Sequence, residues 1–286
     1  MNQPSYPPFL ATEIPDLPKD QCLFQVIPAP YEQTVSYGSG TALGPAAILA
    51  ASSQLEAYDG ISCPCEHGIY TREQATSLEA IGQAVTEVSG AGQIPIVLGG
   101  EHTVSTAAIA ALHKQGKRFG VIHFDAHGDL RDHYQGNPMS HACVMRRALD
   151  LGLPIFQIGV RALSRDEAKL RRELTIPHLD AAEIAKKGIR TELVSEYFPD
   201  MDTVYVTFDV DCLDPGIMPA TGTPEPGGLS WWQAMDCLQQ ITASCRIIGF
   251  DVVELAPIKG VHAPDFLAAR LIYNLMGMIS RSHLQD

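Results

Sequence analysis

The chain has 286 residues, 45% of them hydrophobic, and a formal net charge of −13; it is long enough for one large α/β domain or two ordinary ones. The acidic balance, without a Lys/Arg stripe, argues against nucleic acid or an anionic membrane as partner and favours cationic ligands. No apolar run reaches about 18 residues, the start is Pro-rich and acidic, and the 7 cysteines lack a paired spacing framework, so a soluble, unexported, cytoplasmic protein with reduced thiols is expected.

Residues 1–20 read as a Pro-rich N-terminal extension. The first strand is expected over Cys22 to Ile27, and Gly44-Pro45 opens an Ala-rich helix to about Tyr58, with proline at a favoured first-turn position. A second helix is expected over Arg72 to Ser89. Strands and helices then alternate: strand 94–98, helix 103–114, strand 119–124, helix 141–150, strand 155–159, helix 164–173, strand 204–208, helix 230–241, strand 246–251 and helix 265–280. Such alternation predicts an α/β architecture, a central, mostly parallel sheet covered by helices on both faces. No linker or internal repeat divides residues 21–286, which read as a single domain with long Pro- and Gly-rich loops at 128–140 and 212–229.

The densest chemistry lies at strand ends. Phe124-Asp125-Ala126-His127-Gly128-Asp129 sets three ligand-type side chains at i, i+2 and i+4 after an apolar stretch, and an extended backbone turns such positions to one side. Thr207-Phe208-Asp209-Val210-Asp211 repeats the pattern, and Gly99-Gly100-Glu101-His102 closes a third strand. In an open parallel sheet, ligands bind beyond the carboxyl ends of strands, so His102, Asp125, His127, Asp129, Asp209 and Asp211 are expected in one site. Carboxylates cannot gather in a partly dry pocket without a cation. These two imidazoles and four carboxylates can balance two divalent ions, and a donor set rich in oxygen and free of thiolate favours Mn²⁺ over structural zinc. Six ligands are too few for two isolated octahedral ions. Bridging carboxylates and a bridging water or hydroxide are therefore expected, the latter as nucleophile because metals lower its pKa.

Together with Ser140-His141-Ala142, Asp214-Pro215, the run Thr221-Gly222-Thr223-Pro224-Glu225-Pro226-Gly227-Gly228 and Asp251-Val252-Val253-Glu254, these motifs resemble the ureohydrolase family of arginases and agmatinases over nearly the whole length. The resemblance implies a three-layer α/β/α arginase/deacetylase-like fold, two Mn²⁺ per subunit, a homo-oligomer (trimer or hexamer), and hydrolysis of a guanidino compound to urea and an amine. By position, it implies one ion on His102, Asp125, Asp129 and Asp209 and another on Asp125, His127, Asp209 and Asp211, with Asp125 and Asp209 bridging. The chemistry gives Glu254 the task of orienting the guanidinium by paired hydrogen bonds and His141 that of protonating the leaving amine. Asp129 is expected to hold the nucleophile as well as to ligate metal.

The loop from Leu130 to Ser140 is expected to form the rim that meets the substrate's tail. Arginases generally carry Asn and then a Thr- and Ser-rich loop where this chain has Arg131-Asp132-His133-Tyr134-Gln135-Gly136-Asn137. That departure argues against arginase, and the following residues resemble agmatinases. Agmatine is thus the expected small cationic guanidino substrate, with putrescine and urea as products in polyamine biosynthesis. Asp132 and Asn137 are expected in the rim, with Asp132 neutralising Arg131. The alternatives are 4-guanidinobutyrate, aminopropylagmatine, guanidine or arginine, and, in another class, a catalytically silent guanidine-binding sensor or assembly subunit.

Overall fold

Short runs of Val, Ile and Phe bounded by glycine and proline suit a pleated, doubly covered sheet. In a computed structural model, which describes residues 6–11, 15, 17–189 and 202–283, they form β1 (Phe24–Ala29), β2 (Ile69–Thr71), β3 (Ile94–Gly99), β4 (Gly120–Phe124), β5 (Ile155–Ile158), β6 (His178–Leu179), β7 (Thr203–Asp209) and β8 (Arg246–Val253). All eight strands lie in one sheet, ordered β2-β1-β3-β8-β7-β4-β5-β6, and every pairing is parallel.

The intervening helices are α1 (Gly44–Ser52), α2 (Leu78–Gly90), α3 (Thr103–Lys114), α4 (Val144–Asp150), α5 (Arg165–Glu173), α6 (Ala181–Lys187), α7 (Trp231–Ser244) and α8 (Ala263–His283). Alternate strand residues face opposite layers. Val26, Ile96, Ile122 and Phe250 pack with α1, α7 and α8, while Ile27, Val97, Val121 and Ile155 pack with α2, α3 and α4. The result is the three-layer α/β/α arrangement, with the sheet parallel throughout rather than mostly so. Among the described residues no helix is long and apolar enough to cross a membrane.

Several boundaries differ from expectation for local reasons. Helix α1 stops at Ser52, not near Tyr58, where the Ser52 and Ser53 hydroxyls bond back to the Leu49 and Ala50 carbonyls. Helix α2 starts at Leu78 because Ser77 caps it, and the preceding segment instead bonds to β1 through Arg72 and Ala75. His141–Cys143 is a 3-10 turn, and α4 begins only at Val144. The strands β2 and β6, of three and two residues, and the seven-residue α6 are too short to give a periodic signal.

Within the expected N-terminal extension, residues 1–5, 12–14 and 16 lie outside the described residues. Phe9 and Leu10 are fully buried. The Phe9 N–H donates to Thr71 Oγ1 (2.8 Å), the Leu10 N–H donates to Ser52 Oγ (3.0 Å), and the Phe9 ring meets Tyr273 at 6.4 Å. Phe9→Ala is accordingly expected to cost about 3–5 kcal/mol in urea unfolding, the range for emptying a buried aromatic site. A loss under about 1 kcal/mol would show that this segment does not belong to the core.

Candidate active site

The four adjacent strands β3, β8, β7 and β4 occupy the middle of the sheet, and their carboxyl ends carry all the candidate ligands and Glu254. A tight turn after β3 delivers Glu101 and His102. Only glycine fits at Gly100, since a Cβ there would overlap the Tyr31 carbonyl oxygen. Asp211 follows β7 in a 3-10 turn capped by Asp209, whose Oδ1 accepts from the Asp211 N–H at 2.8 Å. Asp129 (φ 51°) and Glu254 (φ 64°) both sit in the left-handed region. Such backbone is costly for residues with side chains and concentrates at functional sites.

The six candidate ligands converge. His102 Nδ1 lies 3.1 Å from Asp125 Oδ2, 3.0 Å from Asp129 Oδ2 and 3.6 Å from Asp209 Oδ2. His127 Nδ1 lies 3.4 Å from Asp125 Oδ1 and 3.0 Å from Asp211 Oδ2. Asp125 therefore turns one oxygen to each imidazole. His127 is the partly exposed member, with 29% of its side chain open, and marks the side on which the site meets the cleft.

The environment of His102 tests whether this donor set suits a metal. Thr207 Oγ1 has one proton, directed to Asp251 Oδ1 (2.7 Å), so it accepts from His102 Nε2–H at 2.9 Å. Tyr205 donates to the other oxygen of Asp251 (2.7 Å). The buried His102 Nδ1 is left without a hydrogen-bond partner, its lone pair facing three carboxylates. A divalent cation at that position would satisfy nitrogen and oxygens together, so the residues fit.

His123, missed in the sequence, is part of the same cluster. The Gln157 amide donates to the Gly128 carbonyl (2.7 Å) and to His123 Nδ1 (3.2 Å), so His123 presents Nε2–H to Asp125 Oδ2 at 2.8 Å. It orients Asp125 instead of offering a lone pair. Its place at i−2 from Asp125, on the same side of β4, was the available signal. Arg161, also missed, directs its guanidinium to the carbonyls of Gly159, Asp211, Cys212, Leu213 and Glu225 and so ties the loop after β7 to the site.

A cleft of about 560 Å³ opens above this cluster, lined by His102, His127, Asp129, Asp209, Asp211, His141 and Glu254. Glu254 Oε1 accepts from the His102 backbone N–H (2.7 Å), which joins the ends of β8 and β3. The expected rim needs correction. Arg131 pairs with Glu167 (3.8 Å) and lies over the Tyr134 ring (5.1 Å), not with Asp132. Asp132 is instead exposed and bonded to Arg147 (3.1 Å), and Asn137 Oδ1 closes a turn by accepting from the Met139 N–H (2.9 Å). Neither Asp132 nor Asn137 lines the cleft, whereas Tyr37, Tyr134 and Glu225 do.

Electrostatics reflect the crowding. Burial, then the charges of Asp211, Asp125 and Glu254, push the Asp209 carboxyl well up, and burial with Asp125 raises Asp211. Burial also pushes Glu254 up to about 8, against the His102 backbone N–H that favours its charged form. Burial opposes a charged His127, but hydrogen bonds to Asp125 and Asp211 outweigh it and raise the imidazole to about 12. Asp125 is the exception: burial is overcome by the facing His123 and by bonds from His102, His123 and His127, which hold it well below the carboxylate range.

Glu254 moves from 4.5 to about 8 and His127 from 6.5 to about 12, so both bind more protons in the folded chain than in the unfolded one. Their contribution is full below the unfolded values and is lost as pH rises through the folded ones. Asp125 works the other way only as pH falls below 3.8. The melting temperature of EDTA-treated protein is expected to fall between about pH 5 and pH 9. Added Mn²⁺ should raise it more at about pH 8 than at about pH 6, because bound protons must leave. Calorimetry showing the metal-free protein gaining stability across that window would contradict this electrostatic account.

Comparison with known proteins agrees with the geometry. The model of the arginase family matches residues 23–277. The chain is 41% identical over 274 residues to an N(1)-aminopropylagmatine ureohydrolase of Synechocystis sp., covering 88% of this chain and 87% of that one. It is 31% identical over 280 residues to an agmatinase of Pyrococcus horikoshii, covering 94% and 96%. The crystal structure of agmatine ureohydrolase of Thermoplasma volcanium superposes with a TM-score of 0.86 at 29% identity, over 99% of this chain and 97% of that one. Sheet, strand-end cluster and likeness thus lead to one conclusion: this chain belongs to the arginase family and is a ureohydrolase, a hydrolase of guanidino C–N bonds.

Proposed function

We propose that this ureohydrolase cleaves a guanidino compound with a cationic polyamine tail, N1-aminopropylagmatine in the first place. The observation that carries this reading is the 41% identity, over most of both chains, to a relative bearing that name. It reverses the order expected from the sequence, where agmatine came first. Agmatine is the second reading, favoured by the similarity to the agmatinase of Pyrococcus horikoshii. The cleft supports a cationic tail over an anionic one. Arg161 is committed to backbone carbonyls, and Arg131 on the same wall faces Glu167 (3.8 Å) and the Tyr134 ring, while Glu225 adds a carboxylate to the lining.

In this reading His102, Asp125, Asp129 and Asp209 hold one divalent ion and Asp125, His127, Asp209 and Asp211 another, Mn²⁺ by the character of the donors. Bound there, the pair supplies an activated water for attack on the guanidinium carbon. The protein's own groups do the rest. Glu254, anchored through Oε1, orients the planar guanidinium by charge-assisted hydrogen bonds. Asp129 accepts a hydrogen bond from the attacking water. His141, on the cleft wall with the Tyr134 ring edge-on at 5.7 Å, delivers a proton to the departing amine nitrogen as the C–N bond breaks. From N1-aminopropylagmatine the products are urea and spermidine; from agmatine, urea and putrescine.

Urea release by the Mn²⁺-loaded protein, measured over N1-aminopropylagmatine, agmatine, arginine, 4-guanidinobutyrate and guanidine, tests the reading. The highest kcat/KM is expected on N1-aminopropylagmatine, with agmatine next. Preference for 4-guanidinobutyrate or arginine would overturn the cationic-tail assignment, and silence on all of them would favour a guanidine-binding sensor. His141→Ala is expected to lower kcat by about a hundredfold, the usual worth of a positioned proton donor. Its manganese content, read by atomic absorption, should match that of the unaltered protein.

A further inference from the structure

Glu101 is the side chain of the Gly99-Gly100-Glu101-His102 turn that has so far no task. It is fully buried, and four donors converge on it. The backbone N–H groups of Gln33 and Thr34 donate to Oε2, each at 2.6 Å. The hydroxyls of Thr34 (2.8 Å) and Thr103 (2.7 Å) reach Oε1. Both side-chain oxygens are thereby used as acceptors. The consequence is felt at Thr34, which lies in the loop after β1 and is far from every recognised motif in sequence.

A threonine hydroxyl has one proton and two lone pairs. The Thr34 proton is committed to the Glu101 carboxylate, a stronger acceptor than a ring nitrogen or another hydroxyl. Its lone pairs therefore face His141, whose backbone N–H lies at 3.0 Å and whose Nδ1 lies at 3.2 Å. Thr103 Oγ1, at 3.4 Å from Thr34 Oγ1, sends its own proton to Glu101 and does not compete. Ser140 Oγ, at 3.3 Å from His141 Nδ1, can accept a share of the same ring proton. One hydroxyl thus grips His141 at both its main chain and its ring.

We propose that Thr34 and Glu101 are positioning residues for His141: the chain Glu101–Thr34–His141 keeps the ring proton on Nδ1 and fixes the imidazole's direction, leaving Nε2 as the nitrogen that exchanges a proton with the leaving amine. The proposal rests on the proton-donor role given to His141 above. Glu101 and Thr34 touch no substrate in this scheme. They act through the imidazole, as the carboxylate and hydroxyl partners of catalytic histidines do elsewhere.

The experiment is a double-mutant cycle in the Mn²⁺-loaded protein on N1-aminopropylagmatine and agmatine, comparing Thr34→Val, Thr34→Ser, His141→Ala and Thr34→Val/His141→Ala. Thr34→Val keeps the shape and the backbone donor and removes the hydroxyl. It is expected to lower kcat about tenfold with KM and manganese content unchanged, Thr34→Ser should restore most of the loss, and the double variant should be no slower than His141→Ala alone. Multiplying losses in the double variant, or full turnover in Thr34→Val beside an impaired His141→Ala, would overturn the relay and leave the His141 role standing. Unimpaired His141→Ala would instead remove the role on which the relay depends. Should neither compound be turned over, long-range ¹H–¹⁵N spectra of the full chain loaded with diamagnetic Zn²⁺ decide the matter. A proton on Nδ1 of His141 that shifts to Nε2 in Thr34→Val supports the relay, and a proton on Nε2 in the unaltered protein refutes it.

Discussion

Repulsion among buried carboxylates is the constraint around which this molecule is organised. Asp125, Asp129, Asp209 and Asp211 are all nearly inaccessible, and their oxygens surround two imidazole nitrogens at 3.0–3.6 Å. Without a positive charge among them, the fold must take up protons, which is why Asp209, Asp211 and Glu254 shift upward together. Cations seated among these groups would resolve the same conflict without protons. The site is thus a place where folding stability is spent on charge density that only a ligand neutralises.

The surrounding polar groups make that density directional. Asp251 and Tyr205 fix the proton of Thr207, which fixes the tautomer of His102, and Gln157 does the same for His123. Every member is buried, so a rotated Gln157 amide would set its oxygen against the Gly128 carbonyl, acceptor facing acceptor, and a flipped ring would leave polar groups unpaired. Arg161, reaching carbonyls on both sides of the loop after β7, extends the same rigidity to the cleft wall.

The site was more legible in the sequence than the fold's edges were. Ligand-type residues at alternate positions after apolar runs report a strand end directly, because period-two geometry and chemistry coincide there. His102, Asp125, His127, Asp129, Asp209 and Asp211 therefore emerged together. Edge strands of two or three residues, such as β6 and β2, have no period to read. The rim failed for a different reason. Nothing local in Arg131-Asp132 says that Arg131 turns to Glu167, thirty-six positions onward, and that Asp132 turns to the guanidinium of Arg147. Thr34 was illegible for the same reason, since its partners Glu101 and His141 come from two other loops.

The sheet order carries one more consequence, for biosynthesis. The last strand in the chain, β8, does not add to an edge but fills the gap between β3 and β7 at the centre. Until residue 253 has left the ribosome, β3 and β7 each expose an unpaired, apolar backbone edge to solvent or to other nascent chains. Closure also waits on long loops, so it is slow compared with the local hairpins of other folds. The finished sheet and the convergence of its strand-end side chains arrive in the same late event, and a truncated chain would be sticky and would leave His102, after β3, unaligned with the carboxylates after β7 and β4.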